Sequence, residues 1–366
     1  MKKALVFLLV LGMVTPLFAD DAKVLPEKVL RIYTVPVVSF VTGTWDADGE
    51  LTENEDDAGD GMPDGTIFSL GGRRINKNTD QISAGFQWTP VYSFLKPVDI
   101  DTGTDSDVLT GGIDSVDVGA EIQILGNQGY VQNDQMRFSV TPGVVVPMPT
   151  RDWESEGEAA VDGDDYVAPG AETLTQFAVG ALVNFDYLVT PEFYVNVFLE
   201  PRFRLPRTVD YSGFYNPVAT AEVDAASRAA GGPGFDDDVY DTYEVEYGSN
   251  VFFETGLDFN YELPVSESVR VDFGLPARFT LNTPRTDTET VEVTDAGAAA
   301  GQADQENEFE PDDPSYTLYL DPSIGTFLTG LPVPLQFVAT YRLPLVGQRA
   351  SQVHSVVLEG RVYLSF

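Results

Sequence analysis

The feature that most constrains this chain is a two-residue alternation of apolar and polar side chains, repeated in segments of about ten residues. From Val269 to Leu281 one face reads Val269, Val271, Phe273, Leu275, Ala277, Phe279 and Leu281. The other face reads Arg270, Asp272, Gly274, Pro276, Arg278 and Thr280. Leu335 to Leu343 repeats the split, with Leu335, Phe337, Ala339, Tyr341 and Leu343 against Gln336, Val338, Thr340 and Arg342. Five further segments, starting near Val116, Arg137, Gln176, Val195 and Phe253, behave the same way. Successive side chains of a strand point to opposite faces, so each segment meets two media. Segments of about ten residues are the length of strands that cross a bilayer at a tilt of roughly 45°.

Connections between these segments alternate in length. Short turns fall at Thr190-Pro191, Pro264 to Ser266, Gly330 to Pro332 and Gly126 to Gly129. Long polar loops fall at 46–79, 151–171, 207–241 and 284–313. Turns on one side and loops on the other predict an all-β, antiparallel, up-and-down transmembrane barrel over 28–366. The boundaries suggest about twelve strands, within a range of roughly ten to fourteen. They lie near 28–42, 80–89, 91–100, 112–125, 132–148, 173–188, 193–206, 245–263, 268–283, 315–328, 333–345 and 353–366. A soluble sandwich is the competing architecture, but it rarely segregates its loops this way.

Residues 1–19 read as a signal peptide: Lys2 and Lys3 precede an apolar run from Ala4 to Val14, and Leu17-Phe18-Ala19 ends before Asp20. Residues 20–27 then form a short periplasmic segment before the first strand. No later apolar run reaches the roughly 18 residues of a spanning helix. The absence of cysteine excludes disulfides, thiolate metal sites and a cysteine nucleophile. A formal net charge of −37 argues against nucleic acid and anionic lipid as partners.

The parity assigns the chemistry. Arg137, Glu200, Arg202, Arg204, Glu254, Asp258, Arg270, Asp272, Arg278, Arg342, Glu359 and Arg361 are predicted to face inward and line a path, with Asp117, Glu121, Asp186 and Asp321 among them. An Arg facing lipid at mid-depth costs about 2–4 kcal/mol, which forbids the opposite orientation. Two readings stay open: a charged, water-filled path, or an interior whose ion pairs satisfy one another. Tyr187, Phe203, Tyr261, Tyr341 and Phe366 fall near predicted strand ends, where interfacial aromatic girdles form. The only histidine, His354, falls on the lipid-facing parity, so a Ser–His or Asp–His pair in the lumen is not expected and neither is an enzyme.

Val356, Leu358, Val362, Leu364 and Phe366 share one face of the last segment, and Glu359, Arg361 and Ser365 the other. This resembles the C-terminal strand of bacterial outer-membrane barrels. The resemblance implies that Val362, Leu364 and Phe366 are read by the barrel-insertion machinery. Leu364 stands where an aromatic is common, and Gly360 interrupts the segment. In layout, and in the lead from Val24-Leu25-Pro26 to Arg31, the mature chain resembles uptake-channel barrels. These are spirochaete-style transporters related to the phenol-degradation MetA-type and long-chain fatty-acid transporter families. The N-terminal hatch of the fatty-acid transporters, with its Asn-Pro-Ala motif, has no counterpart in residues 20–27.

That resemblance implies an outer-membrane channel for passive uptake of small solutes, with membrane lipid as its other partner. The alternative is a surface-exposed adhesin or structural barrel with a plugged lumen that binds through its acidic loops. Asp60-Gly61-Met62-Pro63-Asp64 also resembles the Asp-rich repeats that bind calcium, making Asp56, Asp60 and Asp64 candidate ligands. Ala58 breaks the alternate-Asp spacing, and the opposing reading is a solvated, self-repelling loop. No other cofactor is expected.

Overall fold

The computed structural model describes residues 22–23, 29–53, 67–78, 82–90, 93–95, 108–110, 113–147, 176–230, 237–309 and 313–365. Twelve staves form its frame. The first six are β1 (Val29–Trp45), β2 (Ile67–Asn78), β3 (Ile82–Pro90), β4 (Ile113–Leu125), β5 (Met136–Pro147) and β6 (Ala178–Leu188). They continue as β7 (Phe193–Arg204), β8 (Asn250–Ser266), β9 (Val269–Asn282), β10 (Ser315–Leu320 with Ser323–Leu328), β11 (Leu335–Gln348) and β12 (Ala350–Ser365). Each pairs antiparallel with the next along the chain. The last then pairs with the first, from Val29↔Ser365 to Trp45↔Ala350. The sheet is therefore a closed up-and-down barrel with no open edge, the only sheet form in which lipid leaves no backbone group unpaired.

The alternation orients the staves as expected. Along β7, Tyr194, Asn196, Phe198, Glu200 and Arg202 are buried, while Val197, Leu199 and Phe203 are exposed. Val179, Phe185 and Tyr187 of β6, Leu257, Phe259, Tyr261 and Leu263 of β8, and Phe273 and Leu275 of β9 continue this outer apolar surface. An apolar surface this extensive is a liability in water and is suited to hydrocarbon. Tyr187, Phe203 and Tyr261 lie near stave ends; Tyr341 lies mid-stave on β11, where its hydroxyl meets His354 Nδ1 at 2.9 Å.

The strand number agrees with expectation, although two local assignments differ. Ile67–Asn78, inside the predicted loop 46–79, is a full stave paired on both sides. Its sequence hides the alternation, because Gly71-Gly72 and Arg73-Arg74 place like residues next to each other. Within the segment predicted at 91–100 the described residues, Ser93–Leu95, form a short strand that pairs with the loop end of β2 and with Val108–Thr110. A further boundary moves at the loop end: the predicted strand 245–263 is two strands, parted at Gly248-Ser249. Tyr240–Tyr247 belongs to a separate sheet, and only Asn250–Ser266 joins the barrel. A break also interrupts β10 at Asp321-Pro322, since proline has no N–H for the ladder. The Asp321 N–H still donates to the Pro276 carbonyl at 2.9 Å, and the Tyr341 N–H to the Pro322 carbonyl at 3.0 Å.

The predicted loops 207–241 and 284–313 carry their own secondary structure. Arg207–Asp210, Tyr240–Tyr247, Asp287–Val293 and Gln305–Phe309 form a four-stranded sheet over the loop end. Helix α1 (Ser212–Ala229) starts where the Asp210 carboxylate accepts from the Ser212 N–H, and helix α2 (Asp295–Ala299) starts at a Thr294 cap. Val209, Tyr211 and Tyr247 are the buried core of this cap, with Tyr215 and Tyr243 packed on it. Tyr215 and Tyr243 stack with centroids 4.0 Å apart, and Tyr211 and Tyr247 share a 2.7 Å hydrogen bond. Gln176 ties the cap down, its side-chain amide donating to the carbonyls of Leu205 and Gly248 at 2.8 Å each.

Two predictions follow from this packing. Burial raises the phenol pKa of Tyr243, Tyr215 and Tyr240, and a hydrogen bond to Glu289 raises that of Tyr243 further. A raised folded pKa gives stability that is complete below the ordinary value of about 10 and is lost as pH climbs above it. Absorbance at 295 nm during alkaline titration should therefore show fewer ionised tyrosines at pH 11 in the folded than in the denatured chain. Inside the barrel, a Cβ on Gly256 would sit 2.4 Å from the ring of Phe198, which lies directly across from it. Gly256→Ala should lower stability by about 1–3 kcal/mol through overpacking, read from the urea midpoint in detergent.

Candidate functional site: the charged lumen

Among the described side chains, the residues that parity assigns to the interior are buried or half-buried, and their arginines carry acidic or polar partners; the side chain of Asp117 lies outside the described residues. Around the turn end, Arg361 Nε lies 2.6 Å from Glu359, and its guanidinium also donates to Gln336 at 3.3 Å. Gln336 donates to Asp272 at 3.0 Å, and Asp272 pairs with Arg270 at 2.6 Å. Arg270 then reaches Glu262 at 2.8 Å. One continuous chain of ion pairs and hydrogen bonds thus runs from β12 to β8.

A second network lies halfway up. Arg278 bridges Glu254 and Asp321 at 3.0 Å each, and Arg342 holds the same Asp321 at 3.1 Å. Two aromatic faces back these cations: Phe198 lies 5.2 Å from the Arg278 guanidinium and Tyr319 5.2 Å from that of Arg342. Across the barrel, Arg137 pairs with Asp186 at 3.2 Å, and Asn196 donates to the same carboxylate at 2.7 Å. Near the loop end Arg202 pairs with Glu200 at 2.5 Å, while Arg204 reaches Asn282 at 3.2 Å and lies over the Phe252 ring. Asp258 faces inward between Asn196 and Pro276 in the register.

Burial is deepest at two carboxylates: Asp186 is 0% and Asp321 1% exposed. Desolvating an ion costs several kcal/mol, so each must be repaid by a close partner of opposite sign. Strand parity explains how the pairs form, because inward positions on neighbouring staves lie side by side. Thus Glu254, Arg278 and Asp321, from β8, β9 and the break in β10, meet on one level.

Lumenal features without a signal in the alternation are also present. Tyr194, Phe198 and Tyr319 occupy inward positions among the charges, where a polar-inside rule expects none. Ala22 and Lys23, from the segment before β1, lie inside the barrel. The Ala22 N–H lies 3.3 Å from both oxygens of Asp186, and its carbonyl accepts from the Gln123 amide. Lys23 Nζ lies 2.5 Å from Glu262. Only the presence of Lys23 in an otherwise acidic and apolar lead hinted at this in sequence. His354 sits on the outer surface with Tyr341, away from the lumenal carboxylates. Asp56, Asp60, Asp64 and Phe366 lie outside the described residues. Among the described residues no cluster of acidic or histidine side chains is arranged to hold a metal ion.

No family model and no curated protein matches the chain. A solved outer-membrane channel from Pseudomonas putida F1 superposes over 95% of this chain and 100% of its own, with a TM-score of 0.53 at 12% identity. The chain has the outer-membrane β-barrel fold. The β domain of the Bordetella autotransporter BrkA aligns over 92% of this chain and 99% of its own, at 10% identity and a TM-score of 0.41. The CymD monoaromatic hydrocarbon channel aligns over 93% and 89%, at 8% and 0.37. These last two are too distant to bear on the lumen of this barrel.

The Arg278 network makes a direct prediction. Arg278→Ala strips Glu254 of its cation and leaves Asp321 with Arg342 alone, at a cost of about 3–5 kcal/mol for an uncompensated buried charge. Pairing it with Glu254→Gln should recover part of that loss, as measured by urea unfolding of the detergent-folded barrel.

Proposed function

We propose that this protein is a passive channel that carries small solutes across the outer membrane along the inward Arg and carboxylate groups. The observation that carries this reading is the content of the lumen: ionised side chains at successive levels, where a barrel built for stability alone is better served by apolar packing. Among the described barrel residues, Leu182 and Phe198 make up the only buried apolar cluster. Fixed charges along a narrow path set which ions enter and which are repelled. The excess of acidic residues in the chain, 58 against 21 basic, favours cations and neutral solutes at the mouth. Membrane lipid surrounds the outer belt, and Val362, Leu364 and Phe366 serve the insertion machinery as its recognition strand.

One observation favours the binding reading instead. The cap is an ordered sheet whose outer strand, Gln305–Phe309, is exposed throughout and, among the described residues, pairs on one side only. Planar-bilayer recording separates the two. The channel reading expects discrete current steps, and a Glu254→Gln variant whose reversal potential in a potassium chloride gradient moves toward anions. Silence from a barrel that runs as folded on an unheated gel would overturn it.

A further inference from the structure

The turn end of the lumen contains a site for a cation that the chain fills with its own side chain. Lys23 Nζ lies 2.5 Å from Glu262 and 4.3 Å from the centroid of the Tyr194 ring. A carboxylate on one side and an aromatic face on another is the arrangement that selects an organic ammonium over a fully hydrated metal ion. The surroundings are built to hold it. Tyr194 is 6% exposed, and the Arg137 guanidinium lies 5.1 Å from its ring centroid. Arg137 is itself engaged by Asp186 at 3.2 Å, and Arg270 is divided between Glu262 and Asp272.

Glu262 decides what the site takes: its carboxylate is shared between the Lys23 ammonium and the Arg270 guanidinium, which Asp272 also engages. Lys23 is also accessible, since its side chain is 37% exposed against 18% for Glu262. Lys23 lies outside the staves, and the backbone of neighbouring Ala22 bonds to Asp186 and Gln123.

We propose that this is a binding site for primary alkylammonium cations, and that Lys23 is a tethered occupant which such solutes displace on their way through the lumen. The proposal rests on the channel reading and names the solute class that its turn-end site takes. A tethered lysine competes at an effective concentration on the order of millimolar, so a free amine at similar levels exchanges with it. The Tyr194 face and the Glu262 carboxylate then perform for the solute what they perform for Lys23. Passage requires only that binding be weak enough to reverse.

Calorimetric titration of n-butylammonium chloride into the full-length, detergent-folded protein tests this at constant ionic strength. Lys23→Gln should bind the amine at least ten-fold more tightly than wild type, because the internal competitor is gone. Adding Glu262→Gln or Tyr194→Leu to Lys23→Gln should weaken binding ten-fold or more. Tyr194→Phe keeps the ring face and should retain binding, which separates recognition from loss of fold. Equal affinity in wild type and Lys23→Gln, or indifference to Glu262→Gln, would overturn the site. Potassium conductance of the same Lys23→Gln protein separates the two readings. Current without amine binding removes this site alone, and amine binding without current removes the channel alone.

Discussion

In hydrocarbon a peptide N–H or carbonyl has no water to turn to, and each one left unpaired costs several kcal/mol. The pairing of β12 with β1 over nearly their whole lengths is therefore the contact on which the rest of the structure depends. It removes the last open edge, and once the sheet is closed every stave has an inside and an outside. Side-chain parity then acquires chemical meaning. Leu275 and Phe273 go to the oil, and Arg270, Asp272 and Arg278 go to the axis. The irregularities respect this constraint. Where Pro322 interrupts β10, the neighbouring N–H groups of Asp321 and Tyr341 are still bonded across the gap.

Closure also creates the electrostatic problem that shapes the lumen. An interior surrounded by lipid is a poor solvent for isolated ions, yet most inward positions of β8, β9 and β11 are polar or charged. The chain answers with networks in place of isolated pairs: Asp321 serves two arginines, and Arg270 serves two carboxylates. Aromatic rings complete the desolvated faces of the guanidiniums, with Phe198 on Arg278 and Tyr319 on Arg342. Phe198 can lie flat there because Gly256, opposite it, has no side chain. Such networks are costly for stability alone, which is the ground for the solute passage proposed above.

The loop end follows different rules. Water is available there, so its strands have free edges and its core is built on hydrogen-bonded tyrosines. Tyr211, Tyr215, Tyr243 and Tyr247 each combine ring packing with a polar tip, and Glu289 accepts from Tyr243. Gln176 and Arg285 join this cap to the staves: Arg285 donates to Gln176 at 3.2 Å, pairs with Asp287 at 2.7 Å and lies over Tyr247. The molecule thus has two cores of opposite character, an ionic one inside the barrel and an aromatic one above it.

By itself the sequence determined the barrel architecture and the parity of the staves it identified, because a period of two leaves only one choice once one side is oil. It did not reveal β2, whose paired glycines and arginines erase the alternation, or the cap, whose strands are short and bury only a small aromatic core. Parity also says which wall positions face the axis but not which of them meet. That Arg278 joins Glu254 to Asp321, and that Lys23 reaches Glu262 from 239 residues away along the chain, depends on stave order and register. Tertiary structure alone decided those partners, since ion pairs form by distance in space and a local pattern carries no information about distance.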